Sequence, residues 1–95
     1  MQAPIGKTSL ITKNQDIVDA SIDGETVMMS LENGEYYGLD PIASMIWDSL
    51  HTPLTVDGLI DTLMSEYEVS PETCLKDVLA FLESLRQHNL ISVEA

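Results

Sequence analysis

Residues 18–40 read VDASIDGETVMMSLENGEYYGLD, and the period of this stretch decides the fold. Val18, Ala20 and Ile22 alternate with Asp19, Ser21 and Asp23. After Asp23-Gly24, Val27, Met29 and Leu31 alternate with Thr26, Met28 and Ser30. Asn33-Gly34 then leads into Glu35-Tyr36-Tyr37-Gly38-Leu39. A period of two is the signature of a strand, because successive side chains point to opposite faces. Asp-Gly and Asn-Gly between such runs mark hairpins, since both central residues of a type I′ turn need positive φ. The stretch predicts three antiparallel strands. Their core face is expected to carry Val18, Ala20, Ile22, Val27, Met29, Leu31, Tyr37 and Leu39, with Met28 and Tyr36 on the other side. Leu10 and Ile11 are candidates for a short earlier strand.

The period changes near Asp40. Asp40-Pro41 reads as an N-cap followed by proline in the first helical turn, and Ile42, Met45, Ile46 and Leu50 keep helical spacing, widened by Ala43 and Trp47. Thr55 opens a second helix in which Val56, Leu59, Ile60, Leu63, Met64 and Tyr67 share a face. Ser70-Pro71-Glu72 opens a third, ending near His88-Asn89, where asparagine can take the left-handed position. Leu90-Ile91-Ser92-Val93 is expected to pack back on the core. On the third helix Cys74, Val78, Phe81 and Leu85 form a stripe beside a core stripe of Leu75, Leu79 and Leu82. The apolar arc is about 160°, where one packed face needs ~100°.

The chain has 95 residues, 44% of them hydrophobic and 21% charged, the composition of a globular chain with one small core. Residues 1–95 are expected to form a single α+β domain, a three-stranded antiparallel sheet followed by three helices, with 1–16 as a loosely ordered N-terminal segment. So small a core leaves little room for a deep catalytic cavity, which argues against an enzyme. Four Lys plus Arg against sixteen Asp plus Glu give a net charge of −12. Such a field repels nucleic acid and anionic membrane surfaces and attracts cationic partners. No run approaches the ~18 apolar residues of a membrane span, and MQAPIGK at the N-terminus has no apolar core of a secretory signal. The cytoplasm is the expected compartment.

Several motifs have plainer explanations. Gly6-Lys7-Thr8 resembles the end of a phosphate loop, but the first glycine of that loop would fall at Met1 and no strand precedes it. Asp19, Ser21, Asp23 and Gly24 match the opening of a calcium loop, yet the twelfth position is Ser30 and the flanks are strands. His51, His88 and Cys74 lack ligand spacing, so no metal and no cofactor are expected. Cys74 as a nucleophile would need an electropositive surround that a chain of −12 does not favour. Tyr36 and Tyr37 lie on the last strand of the meander, an edge that invites pairing with another chain. An open edge beside an over-wide apolar helix face is the arrangement strand addition needs. The simpler alternative packs Phe81 and Leu85 on the tyrosines in a dry core.

Read in order, Asp23-Gly24-Glu25, Val27-Met28-Met29, Asn33 through Asp40, Ile46-Trp47, Leu50, Thr55-Val56, Leu59, Leu63, Asp77-Val78, Phe81-Leu82, Leu85 and Leu90-Ile91 resemble the PqqD-like family of leader-recognition domains. The resemblance covers residues 17–93. It implies a winged-helix-turn-helix-like fold without catalytic activity, which holds the leader of a ribosomally made precursor peptide as a fourth strand in the groove beside the third helix. The implied contacts are Glu35, Tyr36, Tyr37, Gly38 and Leu39 on the strand and Cys74, Asp77, Val78, Phe81 and Leu85 on the helix. Cys74 enters by its place at the groove edge and is not a family feature. The chain looks most like the free-standing leader-binding partner of lasso-peptide biosynthesis, a monomer that hands the precursor to a separate leader peptidase or other modifying enzyme. The alternatives are a PqqD-like chaperone of a radical-enzyme or quinone-cofactor peptide pathway and a winged-helix regulator. Lys76 and Arg86 are the only cations of the third helix, too few to neutralise a run of phosphates.

Overall fold

The alternating stretch folds as three strands, β2 (Ile17–Ile22), β3 (Glu25–Ser30) and β4 (Tyr36–Leu39), in a sheet of order β2-β3-β4. These coordinates are a computed structural model, and it describes residues 4–23, 25–32 and 34–94. At the first turn Asp23 has φ 53°, the left-handed conformation that the Asp-Gly pair implies; Gly24 lies outside the described residues. The second connection is wider than a two-residue turn. The Ser30 N–H donates to the Glu35 carbonyl and the Gly34 N–H to the Ser30 carbonyl, and Gly34 sits at φ +70°. Asn33 of that turn is also outside the described residues.

The register corrects the expected core face. Val18 lies opposite Met29, Ala20 opposite Val27, Met29 opposite Tyr36 and Val27 opposite Gly38, so these residues share one face. Thr26 with Leu39 and Met28 with Tyr37 lie on the other. The helix α1 (Pro41–Ser49) packs on the Met28 face, so Thr26, Met28, Ser30 and Leu39 are buried while Val18, Ala20 and Ile22 are exposed. Hydrogen bonding explains the inversion. The Thr26 N–H donates to Ser44 Oγ at 2.9 Å and that hydroxyl donates to the Leu39 carbonyl at 3.2 Å, so a helix side chain bridges the end of the β3/β4 ladder. The Trp47 indole N–H donates to Asp19 Oδ2 at 3.0 Å. The helix α1 thus meets the inward polar row at two points, the Asp19 carboxylate through Trp47 and the Thr26 backbone N–H through Ser44.

Each helix starts where its capping residue stands. Asp40 accepts from the Ala43 N–H at 2.7 Å, Thr55 from the Gly58 N–H at 3.2 Å before α2 (Val56–Glu66), and Ser70 from the Thr73 N–H at 3.3 Å before α3 (Pro71–Gln87). Asn89 at φ 58° follows the C-cap His88. On α3 the buried residues are Cys74, Val78, Leu82 and Leu85, whereas Leu75 and Leu79 are only half-buried. The core stripe is therefore turned by roughly 70° from the expected Leu75-Leu79-Leu82 line, taking 3.6 residues per turn.

The N-terminal segment and the C-terminal extension build a second sheet that the alternation did not reveal. β1 (Leu10–Lys13) lies between β5 (Leu54–Thr55) and β6 (Ile91–Glu94), antiparallel to both. Residues 4–16 are thus not loose as expected. Ile11 is fully buried, and the carbonyls of Lys7 and Ser9 accept the N–H groups of Asp57 and Val56 at the start of α2. Gly6-Lys7-Thr8 belongs to a turn closed by the Gly6 N–H on Ser9 Oγ.

Two substitutions test this packing. Leu82 is wholly buried, so Leu82→Ala should cost ~2–5 kcal/mol in urea unfolding. Asp19→Ala strands the buried Trp47 N–H and should cost ~1–2 kcal/mol, with Asp19→Asn, which keeps an acceptor, costing less. Equal losses for the two Asp19 variants would show that the indole bond does not carry the effect.

Candidate functional site

β4 is an edge strand. Because Ser30 and Glu35 form a hydrogen-bonded pair, alternation makes Met28–Tyr37 the next such pair and turns the backbone groups of Tyr36 and Gly38 away from β3. Tyr37 packs its ring edge-on to His88 at 5.3 Å between centroids, which ties β4 to the end of α3. Its hydroxyl donates to Glu35 Oε2 at 3.1 Å.

Where β4 passes into α1, a cavity of about 300 Å³ opens between α1, the end of α2 and the first half of α3. Its floor is apolar and buried: Ile46, Leu63, Cys74 and Val78. Half-buried Phe81 and Tyr67 line its sides, and Asp40, Ile42, Val69, Thr73 and Asp77 stand exposed around its mouth. An extended chain paired to Tyr36 and Gly38 would run past Asp40 into this mouth, since strands advance ~3.3 Å per residue.

The structure brings Cys74, Asp77, Val78 and Phe81 together in the cavity wall. Glu35, Tyr36, Tyr37, Gly38 and Leu39 lie on or beside the edge strand and do not line the cavity. Tyr36 projects to the opposite face of the sheet and is 74% exposed. Leu85 is buried in the core and is not in the cavity wall. The residues that sequence reasoning does not assign to the site are mainly Ile42, Tyr67 and Val69. Helical spacing places Ile42 in the core with Ile46, yet it is 48% exposed in the first turn of α1, at the cavity rim. Periodicity alone cannot separate a core position from a cavity rim.

Burial, and secondarily the charge of Asp77, pushes the Cys74 thiol above its ordinary value. Cys74 is therefore a neutral thiol at neutral pH, the reverse of an activated nucleophile. Among the described residues no three His, Cys, Asp or Glu side chains group as a metal site would need, and no helix is long and apolar enough to cross a membrane.

The family profile described as coenzyme PQQ synthesis protein D (PqqD) matches residues 25–91. The chain belongs to the PqqD family. Its fold superposes with a TM-score of 0.83 on TbiB1, solved in complex with the TbiA(beta) leader peptide, at 32% sequence identity over 88% of this chain and 98% of that one. It also matches a lasso peptide synthetase B1 complexed with the leader peptide, with a TM-score of 0.70 and 26% identity over 86% of this chain and 96% of that one. No curated protein matches the chain.

The thiol gives a direct check on the cavity floor. Iodoacetamide at pH 8 should label Cys74 at least about tenfold more slowly in the folded chain than in urea, because the folded thiol is both covered and less ionised. Equal labelling rates would place Cys74 at the surface.

Proposed function

We propose that this PqqD-family chain binds the leader segment of a ribosomally synthesised precursor peptide and presents it to a separate modifying enzyme, the leader peptidase of a lasso-peptide pathway. The observation that carries the reading is an edge strand, β4, which among the described residues has no strand beyond it and leads at Asp40 into an apolar cavity. The leader adds to β4 as a fourth strand, bonding the backbone groups of Tyr36 and Gly38, and seats an apolar side chain against Phe81, Val78 and Ile46. Strand pairing supplies affinity independent of side chains, and the cavity supplies selectivity. Asp40 and Asp77 at the mouth favour a leader with Lys or Arg next to the seated residue. The leader-bound state of both similar structures supports this reading. The chain acts as a monomer in the cytoplasm and catalyses nothing itself. A winged-helix regulator is disfavoured by charge, because Arg86 of α3 is bridged to Glu83.

Titration with synthetic leaders from candidate precursors tests the proposal. Phe81→Ala should weaken binding by ~1–2 kcal/mol or more, as an anchoring aromatic does, while losing less stability than Leu82→Ala. A Phe81→Ala variant that melts as early as Leu82→Ala yet binds leader normally would move the groove elsewhere. On leader binding, amide exchange should slow at Tyr36 and Gly38 more than at Val27 to Leu31, which β2 and β4 already flank. Association with a Lys- or Arg-bearing leader should slow with added salt while binding persists, because strand pairing is barely screened. Tight binding to duplex DNA at physiological salt would overturn the reading.

A further inference from the structure

Among the described residues the sheet β2-β3-β4 has a helix, α1, packed on one face and none on the other. Its outer face carries Val18, Ala20, Ile22, Val27, Met29 and Tyr36, with Leu31 at the following turn. Val18 is 51% exposed, Ile22 58%, Leu31 57% and Tyr36 74%. Gly38 adds no bulk opposite Val27, and a Cβ built there would meet no atom within 4 Å. The result is a continuous apolar surface, which single exposed hydrophobic residues would not make.

Charge narrows the occupant. From Ile17 to Leu39 the charged residues are Asp19, Asp23, Glu25, Glu32 and Glu35, with no Lys or Arg among them. Asp19 is turned to Trp47 and Glu35 to the Tyr37 hydroxyl on the inner face, while Glu25 lies on the outer face and Asp23 and Glu32 border it at the turns. A second copy of this chain would bring two such acidic rims together, each on a chain of −12. Nucleic acid and anionic membranes meet the same repulsion. A protein with an apolar surface flanked by Lys and Arg fits both the centre and the rim.

We propose that this outer face docks the enzyme that receives the leader, through an apolar patch on that enzyme ringed by basic side chains. The proposal rests on the leader-binding function proposed above. A leader strand added to β4 extends this same sheet, so an enzyme on its outer face lies directly beside the leader. Tyr36 then serves both partners, through its backbone at the edge and its ring on the face. The docking face and the cavity are on opposite sides of the sheet and can be occupied together.

The double variant Val18→Glu/Ile22→Glu tests this, since both side chains are exposed and their replacement leaves the core intact. Three measurements are made on parent and variant: binding of a synthetic leader by fluorescence anisotropy, affinity for the purified leader peptidase of the chain's own pathway without leader, and the mass of the chain alone by analytical ultracentrifugation. The variant should bind leader within about twofold of the parent and lose at least about tenfold in affinity for the peptidase. The parent's affinity for the peptidase should fall as salt rises. No complex between parent and peptidase, or equal affinity for both proteins, overturns the proposal. So does a parent dimer that the double variant abolishes, which would make a second copy the occupant. A parent that binds peptidase through this face but no leader would remove the function proposed above and leave the docking face standing.

Discussion

The indole N–H of Trp47 has to be satisfied inside the core, and much of the architecture follows from how that is done. Trp47 is fully buried, donates to Asp19 on β2, and lies under the ammonium of Lys13 at 4.6 Å from its ring centre. One side chain of α1 thereby touches both sheets, β2 in one and β1 in the other. An indole N–H left without an acceptor in that position costs ~1–3 kcal/mol, as does any unsatisfied buried polar group. Ser44, one turn earlier, does the same for the end of the β3/β4 ladder. Together they set which face of the sheet α1 covers, and among the described residues no buried side-chain polar atom lacks a partner.

That choice of face has two consequences for function. Polar Asp19, Thr26 and Ser30 turn inward, so the apolar alternates turn out, and the sheet keeps an uncovered hydrophobic side. In addition, α1 begins directly after β4, because Asp40 caps it and Pro41 starts it. The cavity therefore opens at the end of an edge strand, with its floor supplied by α1, α2 and α3. A backbone that can pair and a cavity that can select stand in line. The long-range field of a chain at −12 adds attraction for basic partners without altering either feature.

Family membership and the two similar leader-bound structures bear on most of the chain, whereas the candidate site rests on its own geometry. Among the residues expected at the groove, Cys74, Asp77, Val78 and Phe81 meet in the cavity wall, and Leu85 belongs to the core. The difference lies along the helix axis. Leu85 projects close to Cys74 and Val78 in angle, but it lies about two turns beyond Val78 and about three beyond Cys74, where the helix is covered by the core instead of bordering the cavity.

Local chemistry made much of this protein legible from its residues. Asp40-Pro41, Thr55 and Ser70-Pro71 mark the three helix starts because capping depends on residues within one turn, and Asp23 takes positive φ because a tight hairpin demands it. Alternation located the three strands for the same reason. What alternation could not settle is which face is inside, since polar and apolar rows in β2 and β3 are equally regular. The answer came from Ser44 and Trp47, which lie 18 and 28 residues from the strand groups they bond. The second sheet was hidden in the same way: β1 and β6 are short, have no hairpin turn to join them and pair across nearly the whole chain. The cavity needed three helices to meet, and Ile42 became part of its rim because it points away from the side of α1 on which Ser44 and Trp47 are buried.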